Sequence, residues 1–288
     1  MERGADCRRE AWGLIDRFSE DIDLTIERER LGFGGDRGPE AATSRSEQQR
    51  RLQRLKQACR NVIAEQIAPA LQARLNDLLS TADSWTLTSD DHDPDGQTLL
   101  FAYPRLSTIA TPAYVRPVIK LEFGARSDSW PVKLRQVTPF AAEEFPALFD
   151  SPDCTVRALL PERTFWEKVM LLHEETFRPQ DKIRQPRLAR HYYDVWRLIE
   201  AGVAARAAAD MALFEQVAAH RKVYFRRGWV DYDTLKRGTI QMVPQSEQVD
   251  EWRRDYSAMQ GDMLLGTPPA FDEILATISV FQSEFNTA

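Results

Sequence analysis

Polar and apolar positions repeat with a different period in the two halves of the chain. Period-two alternation and β-branched or aromatic residues predict four strands in the first half, at 21–26, 85–88, 98–103 and 118–123. Between the first and second strands, apolar residues recur every three or four positions from 48 to 79, which predicts a helix that Pro69 kinks or divides. The stretch 31–46, rich in glycine, proline and charged residues, is interpreted as a loop.

After about Ser151 the pattern changes to one that is typical of helices. Apolar stripes and residues of high helix propensity predict helices at 163–177, 187–200, 204–220 and 271–285. The expected fold class is therefore α+β. We expect a mixed sheet domain over residues 1–150, followed by a helical domain over residues 151–288.

Composition narrows the class of protein. The chain has 288 residues, of which 43% are hydrophobic, enough for one large domain or two smaller ones. It has no apolar run near the roughly 18 residues of a membrane span, and its charged start is unlike a secretory signal. Three widely spaced cysteines argue against a disulfide framework and a zinc site. We expect a cytoplasmic protein with no membrane contact.

Two carboxylates on one predicted strand are the first candidate for chemistry. Side chains at positions i and i+2 of a strand point the same way, so Asp21 and Asp23 share a face opposite Ile22 and Leu24. Phosphoryl-transfer sites use carboxylates to hold metals about 3.5–4 Å apart, and Mg²⁺ prefers such oxygens. One Asp-x-Asp triplet is weak evidence, because such triplets are common in loops.

A third carboxylate, Glu122, lies in the apolar strand at 118–123. It shares one strand face with Lys120, while Ile119 and Leu121 take the other face. Glu122 could complete a two-metal site from a neighbouring strand. The alternative is an ordinary exposed strand face with a Lys–Glu pair.

Two helical segments carry further candidates. Thr164 and Glu167 have the spacing of a capping box, which would place Lys168 in the first turn, near backbone N–H groups that could meet a triphosphate. In the next helix, Arg190 and Asp194 are i,i+4 neighbours. These two residues either form a surface ion pair or face a cleft.

These motifs together resemble one family. The run Trp12–Leu24 resembles the first motif of AbiEii/AbiGii-type nucleotidyltransferase toxins, and the runs Thr164–Lys168 and Arg190–Asp194 resemble its later motifs in the same order. The resemblance spans nearly the whole chain. It implies a polymerase-β-like nucleotidyltransferase fold with a helical carboxy-terminal half, and the toxin role of a type IV toxin–antitoxin or abortive infection system.

The resemblance also implies a reaction and the residues that perform it. The reaction would use Mg²⁺, a nucleoside triphosphate donor and an RNA acceptor, in relatives the 3′ end of tRNA, and a cognate antitoxin would be the partner. By analogy, Asp21 and Asp23 hold the metal, Lys168 contacts the triphosphate and Asp194 completes the catalytic set, all around one cleft. The further substrate-binding candidates are Ser19, Arg17, Glu122, Arg190 and His191.

One feature departs from the family pattern. Relatives have a Gly-Gly-Ser/Thr turn ahead of the Asp-x-Asp pair and several tens of residues before it, whereas this chain has Gly4-Ala5-Asp6-Cys7 near its start. We therefore expect the amino-terminal segment to be missing. Three explanations stay open: a misassigned start codon, an inactive remnant that only binds antitoxin or RNA, or a form with other phosphate contacts. Nucleotide transfer to protein is a further alternative.

Two basic clusters suit an RNA acceptor. The segment 220–238 interleaves arginines and lysines with aromatic residues, and the helix predicted from residue 48 has a second cluster along it and just before it. Either cluster could also be an ordinary solvated face. The net charge of −6 does not decide between these readings, because local surfaces govern RNA binding more than the total charge. The second cluster consists of Arg45, Arg50, Arg51, Arg54, Lys56 and Arg60.

Overall fold

A computed structural model describes residues 4–5, 11–19, 21–79, 84–104, 117–264 and 266–288. The chain folds into two compact units. The first, here called the sheet unit, consists of residues 4–5 and 19–158. The second, the helical unit, consists of residues 11–18 and 159–288. The boundary expected from the sequence lies between residues 150 and 151. In the structure the sheet unit continues to Ala158, and the short segment 11–18 belongs to the helical unit.

The described residues of the sheet unit form a seven-stranded sheet, and its strands follow the order β3-β4-β5-β2-β1-β7-β6. The four predicted strands are confirmed with small changes at their ends. The strands are β1 (Gly4–Ala5), β2 (Asp21–Thr25), β3 (Thr86–Ser89), β4 (Thr98–Ala102), β5 (Val118–Gly124), β6 (Val132–Val137) and β7 (Cys154–Leu159).

Parallel and antiparallel pairs occur in the same sheet. β2 pairs with β5 in parallel, and the register places Asp21 beside Lys120 and Asp23 beside Glu122. β4 runs antiparallel to β5 and places Thr98 beside Glu122. The α+β class predicted from the sequence is confirmed, and the register brings the polar faces of β2 and β5 together.

The long helical stretch of the sheet unit is divided, as Pro69 led us to expect. α1 (Arg45–Val62) begins after Ser44, whose side chain accepts a hydrogen bond from the Glu47 N–H at 3.2 Å. A π-helical turn follows at Ile63–Ile67, and α2 (Ala68–Leu78) has Pro69 in its first turn. Pro69 has no N–H to donate to the preceding turn, and the change in helical hydrogen bonding lies immediately before it. A short α3 (Phe140–Glu144) completes this unit's α-helices among the described residues.

Six α-helices in the described chain belong to the helical unit. The predicted helix 204–220 is two helices, because the Asp210 side chain accepts a hydrogen bond from the Leu213 N–H at 3.0 Å and starts a new helix. The last of the six helices was predicted from the sequence, whereas the one before it was not. The six are α4 (Pro161–Thr176), α5 (Arg190–Glu200), α6 (Val203–Ala209), α7 (Met211–Tyr224), α8 (Val249–Met263) and α9 (Phe271–Thr287).

Aromatic side chains form much of the core of the helical unit. Trp166 is fully buried, and its ring lies 4.8 Å from the ring of Phe214 and 5.0 Å from that of Phe285. Its indole N–H donates to the Ala207 carbonyl at 3.3 Å, so the polar atom of this side chain is satisfied. Among the described residues, no helix combines the length and the apolar character that a bilayer crossing requires.

His173 is a buried titratable group of α4. It is fully buried, its Nε2 is 2.9 Å from the Thr234 hydroxyl, and its Nδ1 accepts the Gln241 N–H at 3.0 Å. Burial lowers the pKa of this imidazole to about 4. The side chain therefore stays neutral at pH 7 and serves as a structural hydrogen-bonding group.

The stability of the protein should fall in acid because of His173. The unfolded state takes up a proton near pH 6.5, whereas the folded state takes one up only near pH 4. The contribution of His173 to the free energy of unfolding is therefore complete above pH 6.5, and about 3 kcal/mol of it is lost as the pH falls to 4. Urea unfolding of wild type and His173→Gln between pH 4 and 7 measures this difference. Equal pH slopes for the two proteins would contradict the assignment.

Candidate functional site

The two carboxylates of β2 lie on one face of the strand. Asp21 and Asp23 are both half-buried, while Ile22, which points the other way, is 39% exposed. The Ser19 hydroxyl donates a hydrogen bond to Asp21 Oδ1 at 2.6 Å. Ser19, a predicted substrate-binding residue, thus contacts Asp21 directly and orients its carboxylate.

β5 adds a third carboxylate and a lysine to the same face. Lys120 Nζ lies 2.6 Å from Glu122 Oε1 and 3.9 Å from Asp90 Oδ2. Burial acts to lower the pKa of Lys120, but the bond with Glu122 and the charges of Asp90 and Asp21 outweigh it and raise that pKa. The Lys–Glu pair considered from the sequence is present, so Glu122 is partly neutralised by its own strand. Asp90, in the turn between β3 and β4, was not anticipated.

The carboxylates on this face suit a Mg²⁺ site that has few protein ligands. Within the described ranges, no group of three or more histidines, cysteines or carboxylates is arranged to hold a metal ion. Mg²⁺ is usually held by only one or two carboxylates, with water and substrate phosphates as its other ligands. The carboxylates of Asp21 and Asp23 fit that pattern, whereas an all-protein cage is not formed by the described residues.

The other predicted catalytic residues meet in the helical unit. The carboxylate of Asp194, which is fully buried, accepts bonds from Arg17 Nε at 2.7 Å and Arg17 Nη2 at 3.0 Å. The Lys168 ammonium lies 3.0 Å from the second oxygen of the same carboxylate. Arg17 and Lys168 are themselves only 3% and 5% exposed. In these three residues, here called the Asp194 cluster, one carboxylate binds two cationic side chains.

Hydrogen bonds attach the segment that carries Arg17 to the helices. The Tyr193 hydroxyl donates to the Asp16 carbonyl at 3.0 Å, and Arg197 Nη2 binds the Asp16 carboxylate at 2.7 Å. The backbone N–H of Phe18 donates to the Met263 carbonyl at 2.7 Å. These bonds explain why residues 11–18 belong to the helical unit although the chain continues directly into β2.

The prediction that Thr164 and Glu167 form a capping box at the start of α4 is wrong. The helix begins at Pro161, a favourable first residue, and the Glu167 carboxylate accepts a bond from Arg163 Nε at 2.9 Å one turn back. Lys168 is the eighth residue of the helix, about 10 Å along its axis from the first. Lys168 therefore does not lie beside the free N–H groups of the helix start, and its neighbour is Asp194.

The start of α5 holds the remaining two candidates. Arg190 is its first residue and is half-buried, and His191 follows at 8% exposure. The Asp255 carboxylate of α8 accepts the N–H groups of Arg187 at 2.7 Å and Ala189 at 2.8 Å, and so holds the chain as it enters the helix. Arg187 has a φ of +70°, so the helix predicted from this residue begins only at Arg190. Substrate binding by Arg190 and His191 stays a prediction. Asp255 was missed because α8 was not predicted.

Seven of the nine predicted site residues thus fall into two groups, and the other two, Arg190 and His191, lie at the start of α5. The first group lies in the sheet unit: Asp21 and Asp23 are on β2, Ser19 just precedes it, and Glu122 is on the neighbouring β5. Arg17, Lys168 and Asp194 meet in the helical unit, and each group is described within its own unit. In the expected phosphate turn, Gly4 and Ala5 form β1, while Asp6 and Cys7 lie outside the described residues.

Comparison with known proteins adds one finding. The model of a family described as "Nucleotidyl transferase AbiEii toxin, Type IV TA system" matches residues 10–277. The matched range includes both groups of candidate residues. No curated protein and no solved structure matches the chain.

Proposed function

Because the chain belongs to the AbiEii family of nucleotidyl transferase toxins, we propose that it is a Mg²⁺-dependent enzyme that transfers nucleotides from a nucleoside triphosphate to RNA. The proposed acceptor is the 3′ end of tRNA, the proposed partner is a cognate antitoxin of a type IV system, and the proposed location is the cytoplasm. The observation that carries the proposal is the pair of carboxylates, Asp21 and Asp23, on one face of β2 beside Glu122.

In the sheet unit, Asp21 and Asp23 are the proposed metal ligands. When bound, Mg²⁺ would neutralise charge on the triphosphate oxygens. The Ser19 hydroxyl orients Asp21 through its 2.6 Å bond. Lys120 holds Glu122 in place and limits the excess of negative charge on this face, which a triphosphate would otherwise meet.

In the helical unit, Lys168 and Arg17 are the proposed source of positive charge for the triphosphate. Asp194 positions both, since Arg17 bonds to both of its oxygens, Lys168 bonds to one of them, and its burial keeps water from competing. Phosphoryl transfer depends mainly on positioning and on charge stabilisation, so fixed cations of this kind suit the reaction. Arg190 and His191 are proposed as further substrate contacts.

Removal of the metal tests the proposed reaction. The protein is incubated with total tRNA and each of the four α-labelled nucleoside triphosphates in turn, with Mg²⁺ or with excess chelator. We expect label on the RNA with Mg²⁺, background label with chelator, and recovery when Mg²⁺ is added back, because without a cation the carboxylates of Asp21 and Asp23 repel the triphosphate. Nuclease mapping of the labelled RNA then identifies the end or position that was modified.

Three results would contradict the proposal. Transfer that persists in chelator would exclude the metal. Label that appears on protein and resists nuclease would assign a protein-modifying activity instead. The absence of transfer with every triphosphate, in a protein that still binds RNA or an antitoxin, would favour the inactive remnant.

A further inference from the structure

Helix α1 has an exposed face that is basic and contains no acid. The helix carries six basic residues and one acidic residue, in a chain whose net charge is −6. Its exposed positions fall within about half of the helix circumference at 3.6 residues per turn. These positions, here called the α1 face, are Arg45, Ser46, Gln49, Arg50, Gln53, Arg54, Gln57, Arg60 and Asn61.

Packing fixes which way this face points. Leu52, Leu55 and Cys59 occupy the opposite side of α1 and are nearly or fully buried in the sheet unit. Burial of these apolar side chains stabilises one rotation of the helix about its axis. The arginines and glutamines of the α1 face are therefore held towards solvent.

The charge of the α1 face is not cancelled within the part of the chain that the structure describes. The one acid of the helix, Glu47, accepts a bond from Arg51 Nε at 3.0 Å, and Lys56 binds Asp95 at 2.9 Å. The structure gives no ion pair, among the described residues, to the four arginines of the face. Arg51 and Lys56, which flank the α1 face, thus bind the nearby carboxylates of Glu47 and Asp95, and the face keeps its positive charge.

Part of the other basic cluster, in segment 220–238, is paired within the fold. Arg221 makes a two-point bond with the buried carboxylate of Glu174, at 2.6 and 2.9 Å. Lys222 pairs with Asp233 at 2.9 Å, and Arg237 Nη2 donates to a backbone carbonyl at 3.2 Å. Half of the six basic groups in this segment therefore have partners within the fold, and the segment is a weaker candidate for RNA than its sequence suggests.

We propose that the α1 face binds the sugar–phosphate backbone of a double-stranded segment of the RNA acceptor. Arginine binds phosphate, and the glutamine, asparagine and serine side chains can bond to phosphate or ribose oxygens. The face has no aromatic residue, so it lacks the stacking platforms of single-stranded RNA sites. Duplex RNA is recognised through its shape and backbone, which this side-chain set can contact. The inference rests on the proposed function, because that function makes RNA the acceptor.

A charge-matched pair of variants tests the inference. The α1 variant combines Arg45→Gln, Arg50→Gln, Arg54→Gln and Arg60→Gln, which keep good helix propensity. The control variant changes the same number of charges in the other segment: Lys222→Gln, Arg226→Gln, Arg227→Gln and Lys236→Gln. The probes are an RNA hairpin and a single-stranded RNA of equal length, and fluorescence anisotropy gives Kd at several salt concentrations.

We expect the α1 variant to bind the hairpin at least about 10-fold more weakly at 0.1 M salt. The slope of log K against log salt should become shallower by about 3 to 4, near 0.9 for each phosphate that is no longer neutralised. The control variant should bind the hairpin as wild type does, and wild type should prefer the hairpin to the single strand. Urea unfolding of both variants confirms that each is folded.

Other results would overturn the inference. Loss of hairpin binding in the control variant alone would assign the RNA to segment 220–238. Unchanged binding in both variants would leave the α1 face to another partner, such as an acidic antitoxin. Binding needs no catalysis, so weaker hairpin binding by the α1 variant supports the inference even if wild type transfers no nucleotide. Conversely, wild-type transfer with normal RNA binding by the α1 variant refutes the inference and leaves the proposed function intact.

Discussion

Replacement of both Asp21 and Asp23 with asparagine is expected to lower the rate of nucleotide transfer by about 1,000-fold or more. A metal that stabilises charge in the transition state supplies several kcal/mol, and about 4 kcal/mol corresponds to a factor of 1,000. Asparagine has nearly the same shape as aspartate, so β2 should keep its pairing with β5. The measurement is kcat and KM for the labelled triphosphate across a range of Mg²⁺ concentrations.

The matched control is Asp250→Asn with Asp272→Asn. Both aspartates are exposed in the helical unit and bind Arg253, at 85% and 70% exposure of their side chains. Their removal changes the net charge by the same amount, and exposed pairs contribute little to stability. We expect this control to transfer nucleotide as wild type does. Transfer by the Asp21 and Asp23 variant at a tenth of the wild-type rate, with an unchanged Mg²⁺ requirement, would place the metal elsewhere.

The presence of Asp21 and Asp23 on one face of β2 could be predicted, because strand periodicity is a local property of the sequence. The alternation from residue 21 places Asp21 and Asp23 together, and the apolar run around Glu122 identifies β5 in the same way. The sequence could not show that β2 and β5 are neighbours or which of their residues are paired. That register depends on contacts between residues about 100 positions apart, and the short-range pattern carries no information about it.

Other elements were missed because their patterns are weak. β7 has two buried apolar residues, Val156 and Ala158, separated by an arginine, so a clear alternation extends over only three of its positions. β6 exposes Leu134, so its alternation gives no consistent buried face. The start of α4 was misplaced for a different reason: the spacing of Thr164 and Glu167 is that of a capping box, but Pro161 gives a stronger start signal.

The partners of Asp194 could not be predicted from the residues near it in the sequence either. Its i,i+4 spacing suggested Arg190, but its carboxylate binds Arg17, which lies 177 positions earlier in the chain, and Lys168. Ion pairs across a helix follow from spacing, whereas pairs between distant segments follow from the tertiary fold. Their burial also changes their energetic role, because a buried charge without a partner costs far more than an exposed one.

Replacement of Asp194 with asparagine is accordingly expected to lower the free energy of unfolding by about 3–5 kcal/mol. The amide leaves Arg17 and Lys168 as two nearly buried cations, 3% and 5% exposed, without the carboxylate that holds them. Replacement of Lys168 with methionine should cost less, about 1.5–3 kcal/mol, since Arg17 keeps its two-point bond to Asp194. Urea unfolding followed by tryptophan fluorescence measures both values.

The double variant separates electrostatic positioning from simple loss of packing. With Asp194→Asn already present, Lys168→Met removes a cation that repels Arg17, so it should raise the free energy of unfolding instead of lowering it. Equal costs of Lys168→Met in the two backgrounds would show that charge does not couple these residues. Activity gives an independent readout. If Lys168 contacts the triphosphate, the single Lys168→Met variant is folded yet raises KM for the triphosphate or lowers kcat, and a folded variant with wild-type kinetics would restrict Lys168 to a structural role.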